Sequence, residues 1–438
     1  MPKSYLSNEP AAMRALVNAF DPWRQVETRL RALTDNGHTA DKVELIIKGG
    51  TWSAYDWRYQ QWFIKRCFDA CNAFGAAAVR TSTLGASQKR NETAGHRIIG
   101  LTIETRPDWI TPQEIIRLRT IGCTRVELGV QSIDDAILTA TKRGHDTASV
   151  IRAAKLLKDA GFKTDFHMMP QLPGATPESD ERELRAIFDD ADFRPDMIKI
   201  YPMVVVELAE IYAQWKRGEY VPYPDEDLIE MIIRAKTRVP RYCRISRLIR
   251  DIPSTSIMAG NAVTNLRQVI QDRMRERNLH CSCLRCREIG RVARETPALA
   301  KATPALFDDR YEASAGEEHF LSFEDERRNA VFAFCRLRLP SREPRGDVAK
   351  VWDAFPVLRG AALIRELHTY GHIVAIDDTD PDAAQHKGLG KKLMREAERI
   401  AMKAGYTKMA VISGVGVRGY YRKLGYRLQG TYMVKTIA

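Results

Sequence analysis

Six short apolar runs, separated by helical patterns over residues 43 to 248, constrain the fold of this chain more than any other feature. Such near-continuous apolar strands, alternating with helices, are typical of a parallel sheet or barrel. The helical signals agree, because Thr111 to Glu114 reads as a capping box with Pro112 in the first turn. Between Gly75 and Gly95 the residues are small and polar, which predicts a loop. The six runs are VELIIKGG, IIGLTIET, TRVELGVQS, KTDFHMMP, MIKIYPM and YCRISRL.

The pattern changes after a break rich in Arg, Cys and Pro at residues 278 to 304. HFLSFEDERRNAVFAFCRLRLP then predicts two antiparallel strands around an acidic turn, and ALIRELHTYGHIVAI predicts an alternating strand. A loop and a helix over residues 391 to 404 follow. We therefore predict an α/β chain in three parts: a partial parallel (βα) barrel over 1–255, a basic, cysteine-containing linker over 256–305, and an α+β domain over 306–438.

The loop QHKGLG, between the alternating strand and this helix, is a candidate phosphate-binding loop. Gly388 and Gly390 permit backbone conformations that bring N–H groups toward a pyrophosphate at a helix start. A Gly-x-Gly alone is a weak signal, but the order of strand, loop, helix and strand resembles the GNAT acetyltransferases. That resemblance implies that acetyl-CoA is held by Gln385, His386, Lys387, Gly388, Leu389 and Gly390.

Four other residues near this loop are candidates for acid–base catalysis. The GNAT resemblance places Tyr420 and Tyr421 near the CoA sulfur, where a tyrosine protonates the leaving thiolate; ordinary packing is the alternative. Glu366 and His368, on the preceding strand, are candidate general bases. Alternate residues on a strand are more often packed or exposed, so this alternative stays open.

The chain as a whole resembles the Elongator catalytic subunit family, from about Ser4 to the C-terminus. The resemblance implies a radical S-adenosylmethionine (SAM) barrel joined to a GNAT domain. It also implies acetyl-CoA and SAM as co-substrates and tRNA as substrate. The motifs that carry it are NEPAAMRA, KGGTW, TIETRPDW, GCTRVELGVQS, KRGHD, KDAGFKTDFHMMPQLPG, FRPDMIKIYP, SRLIRDIP and GVGVRGYYRKLGY.

The same resemblance implies a SAM site at the carboxyl ends of the barrel strands, where barrels carry out chemistry. Gly49 and Gly50 would offer carbonyl groups to the methionine ammonium, and Glu104 would meet the ribose hydroxyls. The resemblance also implies Gln131 and Arg143, whose equivalents in related barrels reach the nucleoside or the carboxylate. It implies His167 as well, which stands where relatives often carry an acid. Read individually, each is equally consistent with capping a strand.

The family holds a 4Fe-4S cluster with three closely spaced cysteines upstream of the segment that matches KSYLSNEP, and those cysteines do not occur in this sequence. Cys67 and Cys71 lie one turn apart in an aromatic helix, which predicts core positions. From the sequence as written we expect no cluster and no reductive cleavage of SAM.

Cys281, Cys283 and Cys286 lie within six residues in the linker, a spacing at which thiolates share a soft cation. We predict a structural zinc site here, with redox-active or chance thiols as the alternative. The spacing and the position at the domain junction differ from the family's cluster loop. Candidates for a fourth ligand are His280, Cys243 and Cys335.

The net charge of +12 favours a polyanionic partner, although a solvated basic surface is the simpler explanation. No apolar run approaches the ~20 residues of a membrane span, and no signal pattern opens the chain, so we expect a cytoplasmic protein without a membrane partner. An arginine-rich tract surrounds the linker cysteines and predicts an RNA groove, or else pairing with acidic helices. Its members are Arg238, Arg241, Arg244, Arg247, Arg250, Arg267, Arg273, Arg275, Arg277, Arg285, Arg287, Arg291 and Arg294.

Together these features favour a tRNA-modifying acyltransferase that forms 5-carboxymethyluridine at the wobble uridine and hydrolyses acetyl-CoA when tRNA binds. The uridine would be splayed from the anticodon loop into the space between the domains, where the acyl group faces the tips of the barrel strands. Two other readings stay open: a protein lysine acetyltransferase, and a non-catalytic tRNA-binding module. The sequence also leaves open a homodimer or accessory subunits.

Overall fold

A computed structural model describes residues 5–76, 81–370 and 388–437. Its first half is a half-barrel of six parallel strands in the order β1-β2-β3-β4-β5-β7, which confirms the predicted barrel class. Each predicted apolar run supplies one strand. The strands are β1 (Lys42–Ile47), β2 (Arg97–Thr105), β3 (Arg125–Gln131), β4 (Lys163–Met168), β5 (Met197–Ile200) and β7 (Arg244–Arg247), with β6 (Val204–Val205) outside the sheet.

Helices connect the strands, and side-chain caps define where several begin. The Thr111 hydroxyl accepts from the Glu114 N–H, as the capping pattern predicts, and Pro112 occupies the first turn. The prediction of a loop from Gly75 to Gly95 is wrong in part, because a helix lies within it. The helices of this half are α1 (Pro10–Val17), α2 (Pro22–Asp35), α3 (Trp57–Ala73), α4 (Leu84–Asn91), α5 (Pro112–Thr120), α6 (Asp135–Ala140), α7 (Thr147–Asp159), α8 (Pro177–Asp189), α9 (Glu210–Lys216) and α10 (Asp225–Thr237).

The two faces of the half-barrel differ in chemistry. Side chains such as Phe166 and Ile198 point outward and are buried under the helices. The concave face is polar instead, since alternate residues of β3 and β4 are charged. β1 and β7 are the two edges of this sheet, and Glu44 and Ile46 on β1 are exposed. We call the gap between these edges the open side of the barrel.

The second half of the chain is a seven-stranded sheet in the order β14-β15-β13-β12-β11-β10-β9. Its neighbours are antiparallel, as predicted for the hairpin β10–β11, except that β12 and β13 run parallel. The strands are β9 (Ala305–Ala313), β10 (Gly316–Glu324), β11 (Val331–Leu339), β12 (Ala361–Thr369), β13 (Lys408–Val411), β14 (Arg427–Gln429) and β15 (Tyr432–Thr436). The helices are α14 (Gly346–Ala354), α15 (Leu389–Lys403) and α16 (Arg418–Arg422).

The segment 256–305, predicted as a linker, is folded against the barrel. Its strand β8 (Ala259–Gly260) pairs with β6, and α11 (Leu266–Glu276) is joined to α10 by ion pairs. Two short helices, α12 (Leu284–Arg287) and α13 (Ile289–Glu295), then lead to β9. The predicted boundary at residue 306 is therefore the start of the second sheet, which begins at Ala305.

The second domain packs against the amino ends of the barrel strands. Arg365 on β12 is fully buried and binds both oxygens of Asp196, the residue before β5, at 2.7 and 2.6 Å. Tyr432 donates to the carbonyl of Ala160, before β4, and Arg336 on β11 donates to that of Tyr242, before β7. The expectation that the acyl group faces the strand tips is wrong in this respect, because the tips are at the opposite end. No helix of the described ranges is long and apolar enough to cross a membrane.

Candidate functional site

The amino end of α15 is built as the sequence predicts for a phosphate-binding turn. Gly388 precedes the helix with φ of 91°, in the left-handed region that other residues avoid, and Leu389 opens the helix. Gln385, His386 and Lys387 lie outside the described residues. Within the described part, the free N–H groups of the first helical turn remain available to an anion.

Gly390 and Tyr420 make a close approach at this helix start. A Cβ atom on Gly390 would lie 2.9 Å from the Tyr420 hydroxyl oxygen, so only glycine leaves the hydroxyl room. Burial raises the pKa of Tyr420 to about 12, so the phenol is protonated at neutral pH and can donate a proton. Tyr421 points instead into the core with Tyr426, and burial raises its pKa further. The geometry favours Tyr420 over Tyr421 at the reacting end.

A slot opens where β12 and β13 part. The parallel pairing runs only from Ala361 and Lys408 to Ile364 and Val411, whereas β12 continues to Thr369. Beyond Ile364 the two strands no longer pair, and the start of α15 lies next to this divergence. A Cβ atom on Gly390 would lie 3.6 Å from Thr369 Cγ2, so the helix start adjoins the unpaired end of β12.

Glu366, a predicted general base, lies in an ion-pair network between the domains. Its carboxylate accepts from Lys163 of β4 at 3.0 Å and from Arg336 of β11 at 2.9 Å. Burial alone would raise the pKa of Glu366, but Lys163 and Arg336 outweigh it and lower the pKa to about 2. A carboxylate with so low a pKa accepts protons poorly at neutral pH, so this arrangement disfavours the base role.

His368, the other predicted base, lies on β12 beyond the point of divergence. Its ring packs between Phe334 and Tyr370, with centroid distances of 5.6 and 4.4 Å. The His368 side chain is exposed, although the two rings packed against it remove part of its hydration. This desolvation lowers the pKa of His368, which keeps the imidazole neutral and able to accept a proton at neutral pH.

The predicted SAM residues lie at the carboxyl ends of the barrel strands, a region that we call the barrel mouth. Gly49 and Gly50 follow β1 with φ of 152° and 75°, and a Cβ atom on Gly49 would meet nothing within 4 Å. Glu104 lies at the end of β2, with His167 Nδ1 3.6 Å from its carboxylate. His167 Nε2 is 3.2 Å from Glu127, so His167 lies between two acids.

Gln131 and Arg143 are the remaining predicted SAM residues at this end of the strands. Gln131 has φ of 71°, a strained conformation for a residue with a side chain, at the end of β3. The Arg143 Nε atom is buried without a hydrogen-bond partner among the described residues. Burial and the nearby Arg106 lower the pKa of Arg143, and the carboxylate of Asp108 opposes them in part.

Sequence reasoning missed two features of this mouth. Tyr5 donates to Glu104 at 2.9 Å, and its position in the family-matched segment KSYLSNEP was the available signal. The concave face of the barrel, next to the mouth, carries Glu127, which binds Lys199, and the fully buried Asp165. Charged residues at alternate positions within apolar strands could have revealed this polar interior.

The described residues do not fit a 4Fe-4S cluster at the mouth. Cys67 and Cys71 are buried in α3, as predicted, and Cys123, Cys243 and Cys335 are buried too. The linker cysteines lie by Ile245, near the amino end of β7 and away from the mouth.

The three linker cysteines converge as predicted for a metal site. The sulfur atoms of Cys281, Cys283 and Cys286 lie within 4.8 Å of one another, and across the described ranges they form the one group of three such ligands. Hydrogen bonds from Cys281 and Cys286 hold the pKa of Cys283 well below its usual value. The fully buried Lys236 lies 4.0 Å from Cys286 Sγ, so a buried cation faces the thiols.

None of the three predicted fourth ligands joins this group within the described residues. His280 is exposed, and Cys243 is fully buried beside the group. Cys335 belongs to the core of the second domain.

The arginine tract is largely paired with acids, which favours the simpler of the two predictions for most of its members. Arg273 and Arg277 bind Glu226 and Glu230 of α10, for example. The other ion pairs are Arg244 and Arg291 with Glu288, Arg247 with Asp251, Arg250 with Glu9, Arg275 with Asp272, and Arg241 and Arg287 with Glu324. Arg285 has no such partner among the described residues.

The chain is similar to known proteins over nearly its whole length. Family models described as the radical SAM superfamily, the radical SAM C-terminal domain and the GNAT acetyltransferase family match residues 21–187, 195–276 and 291–426. It is 45% identical to the tRNA uridine(34) acetyltransferase of Methanocaldococcus jannaschii, over 99% of this chain and 78% of the relative. It is 38% identical to the human Elongator complex protein 3, over 99% and 77%.

A solved structure has the same architecture. It is the archaeal Elp3 of Methanocaldococcus infernus with an N-terminal deletion, with a TM-score of 0.85, 44% identity and 96% coverage of both chains. The identity to the curated relatives, across both domains, exceeds what a shared fold alone would give. The chain therefore belongs to the Elongator complex protein 3 and tRNA uridine(34) acetyltransferase family, which joins a radical SAM half-barrel to a GNAT domain.

Proposed function

We propose that this protein uses acetyl-CoA to modify uridine 34 of tRNA, and that tRNA binding stimulates hydrolysis of the thioester when no modification follows. The observation that carries the proposal is the slot at the start of α15. There Gly388 opens the helix, Gly390 makes room for Tyr420, and β12 parts from β13 beside the barrel. The relatives' printed name, tRNA uridine(34) acetyltransferase, supports tRNA as the substrate.

In the proposed acyl reaction the pyrophosphate of acetyl-CoA lies on the N–H groups at the start of α15. Water attacks the thioester carbonyl carbon while His368 takes a proton from it. The C–S bond then breaks, and the Tyr420 hydroxyl protonates the leaving sulfur. Acetic acid and CoA are released, and the acid loses its proton to solvent to give acetate. The imidazolium of His368 returns its proton to the phenolate through solvent. Glu366 holds β12 in place through Lys163 and Arg336.

The mouth residues would hold SAM as the second co-substrate. Arg143 would bind its carboxylate, the carbonyl groups at Gly49 and Gly50 its ammonium, and Glu104 its ribose. Gln131 would border the nucleoside. The product expected from the family, 5-carboxymethyluridine, needs the radical chemistry that SAM and an iron–sulfur cluster supply. The described residues do not fit that cluster.

The target uridine would come from the anticodon loop of a cytoplasmic tRNA and enter the barrel through its open side. Unpaired bases can leave their stack at modest cost, as enzymes that act on bases require. His368 lies at the lower end of the concave face, and the SAM residues lie at the upper end. The uridine would have to move between the two sites, because buried charged side chains fill the concave face between them.

A structural zinc ion at Cys281, Cys283 and Cys286 would fix α12 to the loop that precedes it. Three thiolates and one divalent zinc ion carry a net charge of about minus one. The buried ammonium of Lys236 neutralises that charge, and burial of a cation without such a partner would be costly.

Acetyl-CoA hydrolysis by the full chain, measured with tRNA and with a basic peptide, tests the proposal. We expect tRNA to raise the turnover number and the peptide to leave it unchanged. Stimulation by the peptide, with acetylated lysine as the product, would instead support a protein acetyltransferase. Binding of tRNA without any turnover of acetyl-CoA would support a non-catalytic module.

A further inference from the structure

Four guanidinium groups lie together at the junction of the two domains, and they belong to Arg244, Arg267, Arg285 and Arg291. One carboxylate, that of Glu288, is shared by Arg244 and Arg291. The neighbouring cysteine group faces Arg267 and Arg285 as well as the buried Lys236. Its expected charge of about minus one is too small to balance all three cations.

Arg285 differs from the other unpaired arginines of this tract. It forms no hydrogen bond or ion pair with a described residue, yet it is only half exposed. Arg238 and Arg294 are also unpaired, but both are exposed, and water satisfies their guanidinium groups. A half-buried guanidinium group beside other cations is stable only with an anion or a well-hydrated opening next to it.

Arg267 supplies a second, independent observation. Its Nη2 atom donates to the carbonyl of Ile245 at 3.2 Å, whereas its Nη1 atom is buried without a partner among the described residues. Buried donors are nearly always paired in folded proteins. At this junction the Arg267 Nη1 atom and the whole Arg285 guanidinium group therefore lack acceptors among the described residues, and the two side chains interact electrostatically.

The cluster borders the acyl slot. Arg244 donates to the Tyr370 hydroxyl at 3.4 Å, and His368, which packs on Tyr370, interacts electrostatically with Arg244. Arg244 also begins β7, one edge of the open side. An anion bound beside Arg285 would thus lie at the rim of the open side, through which a nucleotide would reach His368.

We propose that Arg285, with Arg267 beside it, binds a backbone phosphate of the RNA substrate at the rim of the open side. A planar guanidinium group can bind two phosphate oxygens at once, which fixes the strand as well as attracting it. The proposal rests on the proposed function, because it requires RNA at this junction. The other phosphates in the reaction, those of CoA, belong at the start of α15, so Arg285 should not affect acetyl-CoA binding.

Arg285→Gln, Arg285→Lys and the control Arg275→Gln test the proposal in the full-length chain. Arg275 lies in the same segment but is exposed and paired with Asp272. For Arg285→Gln we expect tRNA affinity to fall about tenfold and the slope of log K against log salt to fall by about one. Arg285→Lys keeps the charge and should keep the slope, with a smaller loss of affinity. The KM for acetyl-CoA without tRNA should stay at the wild-type value in all three variants.

Phenylglyoxal labelling of the wild-type protein gives a readout that does not depend on a variant folding. Peptide mass spectrometry should find Arg285 protected by tRNA and Arg275 labelled equally with and without it. Wild-type affinity and slope in a folded Arg285→Gln variant, or equal labelling of Arg285 in both conditions, would overturn the site. Failure of the wild-type chain to bind tRNA would overturn the proposed function and the site together.

Discussion

Replacement of Glu366 by glutamine separates a structural role from a catalytic one. A folded-state pKa of about 2, against an ordinary 4.5, means that the ionised carboxylate contributes about 3 kcal/mol of folding free energy at neutral pH. Because the folded pKa is the lower one, this contribution is present above pH 4.5 and is lost as the pH falls toward 2. Glutamine keeps the shape but removes the charge that Lys163 and Arg336 need.

We therefore expect Glu366→Gln to lower the free energy of unfolding by about 3 kcal/mol at pH 7, measured by denaturant titration. The difference from wild type should shrink as the pH is lowered through 4.5. Glu343→Gln is the control, since Glu343 is exposed and forms only a long ion pair with Arg345. That variant should differ from wild type by less than about 0.5 kcal/mol.

The pH profile of acetyl-CoA hydrolysis completes the test. With His368 as the base, the rising limb should lie below pH 6.5, because burial lowers the His368 pKa, and Glu366→Gln should retain this limb. His368→Gln should remove it. A Glu366→Gln variant that is as stable as wild type but has lost the limb would identify Glu366 as the base and refute the reasoning.

Three further substitutions test the slot, the metal site and the domain interface. Gly390→Ala would place a methyl group against the Tyr420 hydroxyl, so we expect the KM for acetyl-CoA to rise about tenfold. The double variant with Tyr420→Phe should restore the wild-type KM. An unchanged KM in Gly390→Ala would exclude this slot. Cys283→Ser should abolish the binding of one zinc ion per chain, measured by elemental analysis, and full zinc content would refute the site. Arg365→Met leaves Asp196 short of its principal partner and should cost about 3 to 5 kcal/mol of stability by denaturant unfolding, whereas a loss below about 1 kcal/mol would contradict a structural role.

The sequence predicts the strands of the barrel well because the apolar residues that each strand buries lie close together in the sequence. The face of a strand that is covered by helices needs apolar residues, and all six runs provide them, mostly at alternate positions, while the concave face is polar. The same logic fails at α4, where Ser87 and Asn91 are fully buried but polar. Asn91 is held by Asn72 of α3, so its helix lacks the apolar period that would mark it.

The candidate site was predictable where chemistry is local and not where it depends on distant partners. Gly388 and Gly390 lie next to the helix they open, so a short motif reveals them. Glu366 looked like a base on its own strand, but its partner Lys163 is 203 residues away. The ion pair that changes its role comes from the other domain, and a single sequence carries no local signal for that contact.

The domain interface implies that the GNAT part does not fold alone. Arg365 is fully buried between Asp196 of the barrel and Glu318 of its own sheet, and Glu366, the next residue, binds Lys163 of the barrel. Without the barrel, a fragment of residues 306–438 would keep this charge but lose Asp196 and Lys163. We expect that fragment to show no cooperative thermal transition, while the full chain unfolds with both domains in one transition. A cooperative transition in the fragment alone would mean that these ion pairs orient β12 but are not needed for the GNAT part to fold.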